Sequence, residues 1–167
     1  MIDIAQDELA RVTRGVGGYR AEFTRDFEQS PQEVWAALTR PDQLATWLAP
    51  GNIELRIGGR ARLDFVDSGI VIDSTVSLCD PDHMLEYSWS GPGQPERPVT
   101  WTLAAVLDGC QLSLVLHLPP DEDVARSCAG WEAHLTMLAA TLEGVPIKFP
   151  FEEFKAAREA YKARLTA

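Results

Sequence analysis

The sequence predicts an α+β fold, a curved antiparallel sheet of six to seven strands packed against one long helix near the C-terminus. Three observations predict it. Between Ile53 and Leu118 apolar and polar side chains alternate between closely spaced turn signals, the pattern of successive hairpins. Val124, Cys128, Trp131, Leu135, Leu138 and Leu142 then recur three or four residues apart, which lines one face of a helix. A helix of about 20 residues is roughly 30 Å long, so its apolar stripe needs a broad partner, and the strand-rich segment before it is the one large candidate.

Taken in order, residues 1–18 are a mixed lead-in, Gly-rich at Gly15-Val16-Gly17-Gly18, with room for a short strand or arm. Tyr19, Ala21, Phe23, Arg25 and Phe27 alternate with polar neighbours as a half-buried strand. Ser30-Pro31-Gln32-Glu33 supplies an N-cap, a proline at the first helical position and a Glu three residues after the cap, which is a capping box. Val34, Trp35 and Leu38 form the apolar face of that short helix, and residues 41–48 add a second one closed by Pro50-Gly51. The sheet follows. Ala61, Leu63 and Phe65 alternate with Arg60, Arg62 and Asp64, so the two arginines point outward. Asp67-Ser68-Gly69 makes a hairpin leading to Ile70, Ile72, Ser74, Val76 and Leu78 on one face. Leu85, Tyr87 and Trp89 come after the Asp80-Pro81-Asp82 turn, and Ser90–Pro95 is the longest loop. Val99, Trp101 and Leu103 precede an Asp108-Gly109 hairpin, beyond which Leu112, Leu114 and Leu116 alternate.

The long helix begins after Pro119-Pro120 with acidic residues, which suit a helix N-terminus, and stops at Gly144. Glu122, Arg126, Glu132, Thr136 and Glu143 fall largely off its apolar face. A last helix, residues 150–165, carries a stripe of Phe151, Phe154, Ala157, Tyr161 and Leu165; too short to stand alone, it packs back on the domain or on a second copy. The expected organisation is one domain over 1–167, with a lead-in (1–18), a core (19–144) and a helical extension (145–167).

Fifteen basic against 25 acidic residues give a net charge of −10, which argues against nucleic acid and anionic membrane surfaces as partners. No apolar run is long enough to span a bilayer and the N-terminus carries no basic-then-apolar signal, so the expected location is cytoplasmic. Cys79, Cys110 and Cys128 are widely spaced, without C-x-x-C, and read as free thiols. His83, His117 and His134 lie on separate elements with no ligand spacing, so no metal and no cofactor is expected.

Strand, two short helices, curled sheet and long helix together describe a helix-grip (START/Bet v 1-like) fold. Phe23-Thr24-Arg25-Asp26-Phe27 followed by Pro31–Thr39 resembles the opening of the START-like (SRPBCC) proteins related to the C-terminal domain of the Hsp90 ATPase activator. Leu44–Leu48, the Gly58-Gly59-Arg60 turn and Gly130-Trp131 are similar to the same family, and the tail from Leu142 to Tyr161 resembles an extension found in one bacterial branch. The resemblance implies a cavity between the long helix and the concave sheet that holds apolar or aromatic small molecules. It does not imply one activity, because such members include ligand carriers, resistance proteins, cyclase-like enzymes and co-chaperone domains.

Within that frame Trp47, Phe65, Tyr87, Trp89, Trp101 and Trp131 are candidates to line one chamber, since the strand aromatics alternate and Trp131 lies on the inner helix face. The competing reading is that each ring fills core. Ile72, Leu103 and Leu114 on the strands, with Leu135 and Leu138 on the helix, would complete the apolar wall. His134 borders the inner face, and His117 ends the last strand where the family often carries His; both titrate near neutral pH. No G-x-S-x-G elbow or Cys-His pairing marks a nucleophile, so no catalytic set is assigned. The leading expectation is binding of a small hydrophobic or aromatic ligand. The alternatives are a cyclase- or hydrolase-type enzyme using His117, His134 or Tyr87, and a protein-interaction module with a co-chaperone-like role. Self-association as a two-fold homodimer, through an edge strand or the last helix, is the expected assembly.

Overall fold

A computed structural model describes residues 8–166. Residues 1–7 of the lead-in and Ala167 lie outside the described residues. The elements run β1 (Arg11–Gly15), β2 (Gly18–Phe27), α1 (Pro31–Thr39), α2 (Pro41–Trp47), β3 (Gly51–Ile53), β4 (Arg60–Phe65), β5 (Ile70–Asp80), β6 (Met84–Ser88), β7 (Pro98–Val106), β8 (Gly109–Leu118), α3 (Val124–Leu142) and α4 (Phe151–Leu165).

All eight strands form one antiparallel sheet in the order β1-β2-β8-β7-β6-β5-β4-β3. The sheet exceeds the expected six to seven strands because part of the lead-in folds back as β1, with Gly15 opposite Gly18, and because Gly51–Ile53 adds a short edge. Gly18 makes the first of these turns with φ of +129°, and a Cβ there would stand 2.0 Å from the Leu118 carbonyl oxygen. The β7–β8 turn differs from the sequence expectation. Its two turn residues are Leu107 and Asp108, the latter with φ of 59°. Gly109 is already in the ladder, and is needed because a Cβ would meet the Phe27 carbonyl at 1.9 Å.

The capping box forms as read: the Glu33 N–H donates to the Ser30 hydroxyl (3.2 Å) and the Ser30 N–H to the Glu33 carboxylate (3.3 Å). Arg40 is extended before Pro41 and separates α1 from α2. Asp123 caps α3 by accepting from the Arg126 N–H at 3.2 Å, and Gly144 ends the helix's following turn with φ of +78°. Arg60 and Arg62 do point outward, Arg60 making a two-pronged bond to Asp73 (2.9 and 2.7 Å).

Alternation fails once along the sheet. The register shifts between Val76 and Leu78, so Val76 faces the core opposite Tyr87 while Leu78 turns out and is 39% exposed. Elsewhere Phe23, Leu63, Ile72, Leu85, Tyr87, Val99, Trp101, Leu103, Leu112, Leu114 and Leu116 point inward and are buried. The α3 residues Trp131, Leu135 and Leu138 share that core. Helices α1 and α2 pack on α3, and α1 also reaches β7 and β8. Among the described residues no helix is long and apolar enough to cross a membrane. The cysteines are free; burial pushes the Cys128 thiol up to about 12, which keeps it protonated.

Helix α4 packs along α3 on the side away from α1 and α2. This places Glu132 in the interior, 5% exposed, although helical periodicity alone sets it off the apolar face. Its carboxylate accepts from Arg25 of β2 and from the Tyr161 hydroxyl of α4. The same hydroxyl accepts from the Ala10 N–H at 2.8 Å, and Arg164 donates to the Ala10 carbonyl at 2.6 Å. One carboxylate thus ties together β2, α3, α4 and the chain leading into β1.

Candidate functional site

On the other flank of α3 the rings from the strands, α2 and α3 meet. Trp101 of β7 sits edge-on to Trp47 of α2 (centroids 5.9 Å apart) and to Trp131 of α3 (5.7 Å). Trp131 meets Trp89 at 4.8 Å, Trp89 meets Phe65 at 5.8 Å, and Tyr87 lies 6.4 Å from Trp89. Aromatic pairs favour such edge contacts because the positive ring edge meets the negative face. The alternation of β4, β6 and β7 aims Phe65, Tyr87 and Trp101 inward, and Trp131 reaches them because its helix position faces the sheet. Trp47 is oriented by its indole N–H, which donates to the Ala37 carbonyl at 2.7 Å.

The path of rings runs from inside to outside. Trp47, Trp101 and Tyr87 are sealed, Trp131 nearly so, while Phe65, Trp89 and His134 are half-buried. Burial pushes the Tyr87 phenol well above its ordinary value, so it stays protonated. His134 completes the outer end, 6.0 Å from Phe65 and 6.2 Å from Trp131. Its Nδ1 lies 2.9 Å from the Trp47 carbonyl oxygen. A carbonyl only accepts, so Nδ1 carries the hydrogen and the neutral ring presents Nε2 as an acceptor.

Burial holds the His134 pKa below its usual 6.5, although the bond to Trp47 works the other way. The unfolded chain therefore takes up a proton first as pH falls. The contribution of this residue is whole above about pH 6.5 and drains away below it, towards the depressed folded value. Urea midpoints at pH 7.5 and 5.5 should show the wild type losing more stability than His134→Phe over that interval. Equal losses in both proteins would mean that His134 is not the group responsible.

The structure thus brings together Trp47, Phe65, Tyr87, Trp89, Trp101, Trp131 and His134. Ile72, Leu103, Leu114, Leu135 and Leu138 are buried in the same core. His117 is set apart. It faces outward on β8 opposite Arg20, and lines a cleft of about 740 Å³ with Arg14, Tyr19, Arg97 and Asp121. A second open cleft, about 790 Å³, lies by Arg11, Arg25, Glu132, Thr136 and Glu153. Between α3 and the sheet, by contrast, the rings pack on one another.

Two groups escaped the reading of the sequence. Glu132 carries no local signal, because its burial depends on where α4 returns. Phe149 lies in the irregular stretch after α3, half-buried, with its ring 5.5 Å from His134. The one hint was apolar Val145, Ile147 and Phe149 alternating in a segment too proline-rich for a strand. Among the described residues no three His, Cys, Asp or Glu side chains are grouped to hold a metal.

Residues 28–143 match the family model described as activator of Hsp90 ATPase homolog 1-like protein. Solved structures share the architecture. CalU16 from Micromonospora echinospora is 22% identical, with a TM-score of 0.75 over 95% of this chain and 98% of its own. The conserved protein of unknown function EF2215 from Enterococcus faecalis is 20% identical, with a TM-score of 0.79 over 94% of this chain and 90% of its own. DynU16, a protein in the dynemicin biosynthetic locus, is 31% identical over 76% of this chain and 48% of its own, with a TM-score of 0.69. No curated protein matches the sequence.

Proposed function

This chain belongs to the activator of Hsp90 ATPase homolog 1-like family, and from that premise we propose that it holds a small hydrophobic or aromatic molecule between the sheet and α3. The observation that carries this reading is the unbroken series of rings from sealed Trp101 through Trp131 to half-buried Trp89, Phe65 and His134. A guest ring entering at the outer end exchanges one edge contact for another of similar worth, about 0.5–1.5 kcal/mol each beyond burial, while removing its own surface from water. Polar groups near the path are few, His134 foremost, which is the composition expected of a small-molecule site. Kinship with a protein of a biosynthetic locus supports a ligand from secondary chemistry. A cyclase- or hydrolase-type reading finds less support, because His117 and His134 stand in different places and the Tyr87 phenol is held protonated.

Tryptophan emission tests the proposal. Naphthalene added to the purified protein should quench it saturably and raise the melting temperature, since a ligand that binds only the folded state stabilises by mass action. Quenching that stays linear with concentration, without a thermal shift, for naphthalene and for larger fused-ring aromatics, would remove this reading.

A further inference from the structure

Phe149 occupies the outer end of the ring series, yet no strand or helix of the grip contributes it. Its ring packs on His134 at 5.5 Å, and on Phe151 and Phe154 of its own tail at 4.9 and 5.7 Å. The segment bearing it, residues 145–150, is irregular. The backbone N–H groups of Ile147, Lys148 and Phe149 make no hydrogen bond among the described residues, and Val145 and Ile147 are exposed. The segment is tied at its ends, by the Val145 N–H to the Ala140 carbonyl and by the Phe149 carbonyl accepting from Phe151, and the stretch between is lifted at smaller cost than the helices it joins.

Beside Phe149 lies an acceptor that no protein group uses among the described residues. The Trp47 carbonyl fixes the hydrogen of His134 on Nδ1. Nε2 then carries a lone pair within a ring flanked by Phe65, Trp131 and Phe149, none of which has a hydroxyl or N–H to offer except the Trp131 indole. No hydrogen bond to Nε2 forms among the described residues, and the atom keeps an opening to solvent, so a guest hydroxyl would replace water there.

We propose that Phe149 is an internal stand-in for the ligand, displaced when a phenol-class molecule inserts its ring beside Trp131 and Phe65 and donates its hydroxyl hydrogen to His134 Nε2. The proposal rests on the binding reading above, and adds a chemical class and an entrance. A plug that competes with the guest lowers apparent affinity by the fraction of time the place is free. Removing the plug should therefore tighten binding, and the hydroxyl should distinguish phenol from toluene, its near-isostere.

The test compares phenol and toluene, by tryptophan quenching, on wild type, Phe149→Ala and Phe149→Ala/His134→Phe. Phe149→Leu serves as a milder plug removal, and near-ultraviolet circular dichroism checks that each variant is folded. Phe149→Ala should bind phenol about tenfold more tightly than wild type, with Phe149→Leu between them. It should prefer phenol over toluene by about fivefold, the worth of one hydrogen bond. The double variant should reverse the preference and favour toluene, because a hydroxyl taken from water without a partner loses its hydrogen bonds. Unchanged phenol affinity in both folded Phe149 variants overturns the plug. A phenol preference that is absent from Phe149→Ala, or that survives His134→Phe, overturns the donor assignment. If wild type is quenched saturably by naphthalene while either result holds, the binding reading stands and this refinement alone is lost.

Discussion

Trp101→Ala should lower the unfolding free energy by about 3–5 kcal/mol, the range for an aromatic removed from a close-packed core. Trp89→Ala should cost about 1–2 kcal/mol, since less of its area leaves water on folding. Trp101 is 1% exposed and lies edge-on to two other tryptophans, so its loss leaves a hole that neighbours on α2 and α3 cannot close together. Trp89 borders the outer end and has solvent on one side, where its neighbours can relax. Aromatic binding should separate the two in the opposite sense: Trp89→Ala keeps the fold and weakens naphthalene quenching. Urea titration of both variants reads the first difference and ligand titration the second. Equal destabilisation would make the outer rings ordinary core and leave no entrance among them.

The second large effect belongs to the other flank of α3. Glu132→Ala should cost about 3 kcal/mol, the lower end for breaking a buried ion pair, because Arg25 keeps some solvent access that softens its loss. Burial pushes the Glu132 carboxyl up, and the Arg25 guanidinium and the Tyr161 hydroxyl pull it back. Removing the carboxylate leaves both donors facing a hole. Replacing both members of the pair, Glu132→Leu with Arg25→Met, should recover most of the loss, as apolar substitutes for a buried pair often do. Denaturant midpoints of the two single variants and the double variant measure the coupling. Additive losses would show that Arg25 and Glu132 do not depend on each other, and that the tie between β2 and the helical layer is weaker than its geometry implies.

The two flanks have different work. On one, a carboxylate takes charge-assisted bonds from β2 and α4, whose Tyr161 and Arg164 in turn hold the chain before β1, and so anchors α4 against α3. On the other, the rings pack on one another, and Trp47 is held by its indole N–H to the Ala37 carbonyl and by its own carbonyl to His134. Anchoring α4 fixes the far end of the segment that carries Phe149, so a displaced plug has a rigid base to return to.

Much of this was legible in residue order. Ser30 and Glu33 announce α1 because a capping box is a local exchange of bonds across three residues. Val124 to Leu142 announces α3 because helical periodicity depends on neighbours within one turn. Trp89, Trp101 and Trp131 were placed on inward faces by the same short-range geometry, and the order of these signals carried the family. Leu78 shows the limit even within a strand, since one register shift reverses its face.

Which side chains meet across long separations was decided only by tertiary structure. Glu132 is buried because Tyr161, 29 residues on, and Ala10, far earlier in the chain, close over it. Phe149 reaches His134 because α4 anchors the end of its segment, and His117 leaves the site because β8 aims it outward opposite Arg20. Periodicity, caps and turns arise from steric and hydrogen-bonding rules among near neighbours, so residue order alone determined the elements and their faces. The docking of one element on another depends on surfaces that exist only after folding, and that docking set the burial of Glu132 and the place of Phe149.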